Sequence, residues 1–294
     1  MDRQPTDRGQ SLQIGATLLF GFLVLALTTA QAGLVPADIS RAELDHSQRV
    51  ADQLVSLETA VFKTSVTGHP QPTTLDLGPD YNDRLLFAYP PPPAGTLNTT
   101  APATLAIDNA AAVTDTGSFD TYWNGTTHSY DTRAITYEPA YRELGATPRY
   151  RLAHGVLAAH YESDTRIDLA ANRQPVVDDT EITLFVVDGE LAASGIDTES
   201  VVPERVTEST TVAIEASGGP IRLRLPTQPS AATWRETILN EQSTVDSVAV
   251  TGAVATITPS DTETYQLTLP TLATGAAPTP RRPPHLHNPP ATPT

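Results

Sequence analysis

The chain has 294 residues, with 34 acidic against 18 basic side chains and a formal net charge of −16. An acidic surface of that size repels phosphate backbones, so nucleic acid is excluded as a partner class. Cysteine is absent, which removes disulfides, thiolate metal sites and thiol nucleophiles together.

Among the basic residues only Lys63 is a lysine; the rest are arginine. A strongly hydrated carboxylate surface with almost no lysine suits a halophilic protein, since at molar salt the screening length contracts to about 3 Å. A GC-rich genome produces the same arginine bias, so both readings stand.

The N-terminus speaks about compartment. Residues 9–37 hold no charge, and the run IGATLLFGFLVLAL (14–27) is almost continuously apolar. Residues 11–35 are long enough for a membrane span, which needs about 20 residues. Arg3 and Arg8 precede it, which keeps residues 1–10 cytoplasmic and sends the C-terminal domain outside: a single-pass cell-membrane protein whose first partner is the lipid bilayer. The same features also describe a signal peptide cleaved after Ala32, which would release a secreted soluble domain. A third reading uses Arg8-Gly9-Gln10-Ser11, a charged residue and a glycine set directly before the apolar run. This resembles the processing site of archaeal prepilins and archaellins. The resemblance implies cleavage after Gly9, retention of the apolar helix, and pilin-like helices as partners. The acidic residue that many pilins carry a few positions into the helix is missing, with Ile14 and Gly15 in its place.

Next comes a segment, 38–64, free of Gly and Pro and rich in helix formers. Val50, Leu54, Leu57 and Val61 recur at i, i+4, i+7 and i+11, an apolar stripe that predicts an amphipathic juxtamembrane helix. Pro36 is expected to bend the junction without ending the helix. Beyond residue 70 the helical period gives way to short alternating runs bounded by Gly, Pro, Asn and Asp. Strands are predicted at 84–89, 104–109, 133–137, 153–161, 181–187, 210–215, 220–225, 245–250, 253–258 and 264–269. Asp188-Gly189 predicts a hairpin turn, as does Thr251-Gly252. One helix is expected at 230–240, capped by Ser230 and burying Trp234, Ile238 and Leu239. The fold class is therefore mainly β: the membrane and neck helices, then an antiparallel sandwich-like ectodomain over 70–272, with two small β units as a variant. Four prolines at 90–93 predict a stiff exposed break, and seven more in the tail, 273–294, predict disorder.

The anchor, LDHSQRVADQLVSLETAVF (44–62), ITLFVVDGELAASG (182–195), TWRETILN (233–240) and VDSVAVTG (245–252) together resemble a haloarchaeal family of membrane-anchored, pilin-like surface proteins of unknown function. That resemblance implies topology and halophily, and carries no active site.

Chemistry is sparsely signalled. His128, His154 and His160 could in principle meet around zinc, the last two sharing a face of one strand, but no zinc spacing such as HExxH occurs and packed or solvated histidines explain them better. His285 and His287 lie in the tail. No G-x-S-x-G elbow or phosphate loop is present, and a serine–lysine pair would need Lys63 beside the membrane. Asp178-Asp179-Glu181 and the acids at Asp115 and Asp120 lack the calcium-loop pattern. No cofactor or metal is expected. Asn98-Thr99-Thr100 and Asn124-Gly125-Thr126 are N-glycosylation sequons in polar, turn-rich stretches. The expectation is a non-enzymatic envelope protein, structural or adhesive and of minor-pilin type. A stand-alone anchored receptor or ligand-binding module is the alternative, with a hydrolase behind both.

Overall fold

The computed structural model describes residues 6–81, 90–113, 121–145, 147–161, 167–172, 176–207, 211–239, 243–260 and 264–274. It opens with helix α1 (Thr6–Thr67), 62 residues and about 93 Å long. The segments expected at 11–35 and 38–64 are one continuous helix, with Pro36 inside it. Proline removes one backbone donor there, and tertiary contacts on the C-terminal side hold the following turns.

The remainder is mostly β, with 41% of the described residues in strands and the sheets chiefly antiparallel. In chain order the first strands are β1 (Thr73–Asp76), β2 (Gly95–Thr99), β3 (Ala103–Asp108), β4 (Ala110–Ala112), β5 (His128–Thr132), β6 (Ile135–Glu138) and β7 (Pro148–Ala153). Then come β8 (Val156–Tyr161), β9 (Ile167–Asn172), β10 (Val177–Asp178), β11 (Glu181–Thr183), β12 (Val186–Asp188), β13 (Ala192–Gly195) and β14 (Thr198–Val201). The last are β15 (Glu204–Arg205), β16 (Thr211–Ala216), β17 (Arg222–Pro226), β18 (Val245–Thr251), β19 (Val254–Pro259), β20 (Tyr265–Thr268) and β21 (Thr271–Ala273).

These strands form five sheets, in the orders β13-β2-β6-β7-β8-β9, β18-β19-β17-β3-β5, β10-β11-β20-β16-β4, β12-β21-β15 and β1-β14. The expected single sandwich is not confirmed; several small sheets give a propeller-like reading instead. Among the described residues only β6 to β9 is a local meander of the sort a propeller blade uses, since the other sheets join strands from distant parts of the chain.

Two apolar cores organise the sheets. In the first, residues 50–61 of α1 lay Val50, Leu54, Leu57 and Val61 against Leu97, Ile135, Tyr137, Leu152 and Leu157 of the six-stranded sheet. The stripe read from the sequence is the buried face. In the second, Leu105, Ile107, Leu223, Leu225 and Ile257 meet Ile182, Ile214, Tyr265 and Leu267 from another sheet. Trp234, Ile238 and Leu239 close that core, as expected from the 230–240 segment. This segment is a short helix, α2 (Ala231–Thr233), running into a π-turn over Trp234–Ile238, with the Leu239 amide donating to the Trp234 carbonyl at 2.9 Å. Ser230 caps it, its Oγ accepting from the Thr233 amide at 3.2 Å.

Three local expectations change. The 153–161 segment is not one strand, because His154 and Gly155, at φ +53° and +78°, turn the chain between β7 and β8. The 181–187 segment breaks at Leu184-Phe185 into β11 and β12. Asp188-Gly189 does not close a hairpin: β12 pairs in parallel with β21, while β13 pairs with β2. The second turn holds, with Thr251 opposite Val254 across Gly252 at φ +60°. The predicted strand at 84–89, the acids at 115 and 120, and the tail from 275 onward lie outside the described residues.

Candidate membrane anchor and neck

Helix α1 changes character at a sharp point. Every large apolar side chain from Ile14 to Leu34 is exposed, Leu19 and Phe22 to 72%. Residues 13–34 rise about 33 Å, against about 30 Å for a hydrocarbon core. The helix is thus long and apolar enough to span a membrane. Its hydroxyls suit lipid: Thr17, Thr28 and Thr29 donate back to the carbonyls of Gln13, Val24 and Leu25 at 2.9, 3.0 and 2.8 Å.

Burial starts at Val35, one residue after the last exposed leucine, and continues through Ile39, Glu43, His46, Val50, Leu54, Leu57, Val61 and Thr64. These positions recur with the helical period of ~3.6 residues, so one face of the helix rests on the domain while the opposite face stays in solvent. Val35 and Ile39 pack with Tyr81, and the stripe then enters the first core.

Between Ile39 and Val50 this face carries two polar side chains, Glu43 and His46. Glu43 is fully buried, and each of its carboxylate oxygens takes two donors. Oε1 accepts the Tyr81 hydroxyl at 2.6 Å and the Arg142 amide at 2.6 Å. Oε2 accepts the Glu143 and Leu144 amides, both at 2.9 Å. Burial alone raises this carboxyl, but the Tyr81 hydroxyl and the three amides outweigh it and hold it below the ordinary value. One turn on, the buried His46 ring meets the Tyr141 hydroxyl through Nδ1 at 2.7 Å and the Asp76 carbonyl through Nε2 at 3.2 Å. Burial holds its pKa below the ordinary value.

The neighbouring face of α1 grips β1. Gln53 accepts the Asp76 amide at 2.9 Å, and Arg49 lies 3.3 Å from the Asp76 carboxylate. Thr198 of β14 donates to the other Asp76 oxygen at 2.7 Å. Burial raises the Asp76 carboxyl, while Thr198, Gln53 and Arg49 together take it below its usual range. Beneath them the buried Tyr137 hydroxyl donates to the Leu77 carbonyl at 2.9 Å. At the far end of α1, Arg205 donates to the Ser65 carbonyl at 3.3 Å, placing a cation where the helix dipole favours one. These contacts fasten the second half of α1 to the β-domain.

The other residues singled out from the sequence fall as follows. Arg8, Gly9, Gln10 and Ser11 all lie within α1, immediately before the exposed apolar stretch. Asn98 sits in β2 between β13 and β6, a strand and not the turn-rich stretch expected, and its exposed side chain accepts from the Thr136 hydroxyl. Asn124 is exposed in a turn, where its Oδ1 accepts the Thr126 amide and hydroxyl at 3.2 and 2.7 Å. His128 packs against the rings of Tyr122 and Trp123, at centroid distances of 4.2 and 4.6 Å, and does not line the cavity that holds the other two histidines. His154 and His160 do come together, not along one strand but across the β7–β8 hairpin, where both line a small cavity. Among the described residues no three His, Asp or Glu side chains form a metal-ligand group.

Sequence reasoning missed Glu43 and His46. The available signal was their spacing: they continue the Val50 stripe backward at the helical period, and a polar residue at a core position needs a buried partner. Compared with family models, with curated proteins and with solved structures, the chain matches none.

Proposed function

We propose that the protein is a non-enzymatic, single-pass envelope component, in which residues 11–35 lie in the bilayer and the acidic β-domain is displayed on the outer side. One observation carries this reading: apolar residues are exposed all round α1 up to Leu34, and a one-sided buried stripe replaces them from Val35. A soluble protein would leave that apolar surface in water at about 25 cal/mol per Å2. Arg3 and Arg8 on the N-terminal flank favour the outward placement of the domain.

The pilin-like part of the proposal draws on the Arg8-Gly9-Gln10-Ser11 motif and on the way the second half of α1 packs against an antiparallel sheet. A protruding apolar half-helix and a domain-bound half would let such helices bundle in a filament or a membrane complex. An uninterrupted helix through Ala32-Gly33, followed directly by buried Val35, also supports retention over cleavage after Ala32. Outside the cell, both sequon asparagines are exposed, and Asn124 stands in a turn where a glycan does not crowd a sheet. Filament purification followed by mass spectrometry tests the assembly. Recovery in filaments is the expected result, whereas recovery from washed membranes alone leaves the anchored receptor or ligand-binding module as the reading.

A further inference from the structure

A cavity of about 20 Å3 lies under the β7–β8 hairpin, between Arg151, His154 and His160 on one side and the segment from Pro226 to Pro229 with Trp234 on the other. That is room for one water-sized occupant. Two hydrogen bonds fix its far wall: His154 Nε2 with the Pro226 carbonyl at 3.2 Å, and the Trp234 indole donating to Thr227 Oγ1 at 2.9 Å.

The near wall carries three buried nitrogens without a hydrogen-bond partner, Arg151 Nε, His160 Nε2 and His154 Nδ1. Register puts Arg151 opposite Ala158 and His160 opposite Arg149, so Arg151 and His160 stand diagonally on one face of the hairpin. Diagonal neighbours in a sheet are about 7–8 Å apart, a gap that one small bridging group can fill. Arg49, Arg133, Arg149 and Arg224 each pair with a carboxylate at 3.3 Å or less. Arg151, more than half buried, has no ion pair among the described residues and feels only the cost of burial. A guanidinium keeps its charge, and a charge buried without a counterion is costly.

We propose that this cavity is a binding site for a small monovalent anion of halide size, held by Arg151 Nε–H and by His160 in the tautomer protonated at Nε2. A halide answers three features at once: it accepts from both nitrogens, it neutralises the guanidinium, and it fits where phosphate or a carboxylic acid with a side chain does not. Water satisfies the first and third but leaves the charge uncompensated. The proposal is independent of filament assembly and concerns the β-domain alone.

The test is chloride-35 NMR line broadening on the full chain in detergent, with gluconate keeping ionic strength constant. The wild type should show chloride-dependent excess broadening that bromide competes away. Arg151→Gln should weaken that binding by about tenfold or more, the range for a charge-assisted hydrogen bond. Arg149→Gln, on the same face but paired with Glu138, should leave it unchanged. If Arg151→Gln does not fold by circular dichroism, His160→Phe takes its place, with the same loss expected. Absence of excess broadening in the wild type, or equal broadening in the wild type and the Arg151 or His160 variant, overturns the proposal and leaves a water in the cavity.

Discussion

Glu43→Gln isolates the neck from the rest of the protein. The carboxylate accepts four hydrogen bonds at full burial, two on each oxygen. The glutamine amide keeps one oxygen, which can still serve Tyr81 and Arg142, but presents an NH2 to the Glu143 and Leu144 amides. Two donors then face a donor. An orphaned buried donor costs about 1–3 kcal/mol. Residues 142 and 143 border solvent, so water relieves part of that and the lower end applies, giving roughly 2 kcal/mol for the pair. For a domain of this size the loss corresponds to about 4–8 °C in Tm. Differential scanning calorimetry of the full chain in detergent reads it, and amide exchange should show residues 142–144 losing protection before the sheets do. The sign with pH follows from the lowered carboxyl. Its stabilisation is complete above the ordinary value of 4.5 and disappears as pH falls through the lower folded-state value, so the wild type and the variant converge in acid. A Tm within 1 °C of wild type at neutral pH (well short of the ~4–8 °C loss expected), with unchanged exchange at 142–144, would refute the clasp.

Leu54→Ala, at the centre of the helix–sheet core and 2% exposed, should cost about 2–5 kcal/mol and loosen α1 from the six-stranded sheet, as judged by denaturant midpoint. Gly95→Ala should be worse tolerated than its size suggests, because a Cβ there would stand 2.0 Å from the Leu77 carbonyl oxygen and 2.9 Å from the Tyr137 hydroxyl; loss of folded yield checks this. In halide-free buffer His154 should make the domain acid-labile. Burial takes its pKa from 6.5 to about 4, so its contribution is whole above pH 6.5 and is lost as pH falls toward 4. That is on the order of 3 kcal/mol at 1.36 kcal/mol per unit. His154→Asn, which accepts the φ of +53°, should flatten this part of the stability–pH curve.

Local physics made part of this molecule legible. The apolar run and the Val50–Leu54–Leu57–Val61 stripe need only a helical period to be read, and both lie where expected. Ser230 and Trp234 likewise declared a capped, buried turn from adjacent residues. What failed depends on distant partners. Asp188-Gly189 has the residues of a hairpin turn, but Val187 is claimed by Leu272 and Ala193 by Leu97, which no local pattern discloses. The Glu43 clasp joins positions about a hundred residues apart, and His154 meets Pro226 across 72. The His154-Gly155 turn was missed for a different reason: the apolar alternation on both sides masked two successive residues at positive φ.

The mass of the mature N-terminus, measured on protein taken separately from membranes and from medium, bears most directly on whether α1 stays whole. Retention predicts a membrane-bound chain that begins at Gln10 or earlier, with the exposed apolar stretch before Val35 intact. A chain found in the medium and beginning at Gly33 would contradict it.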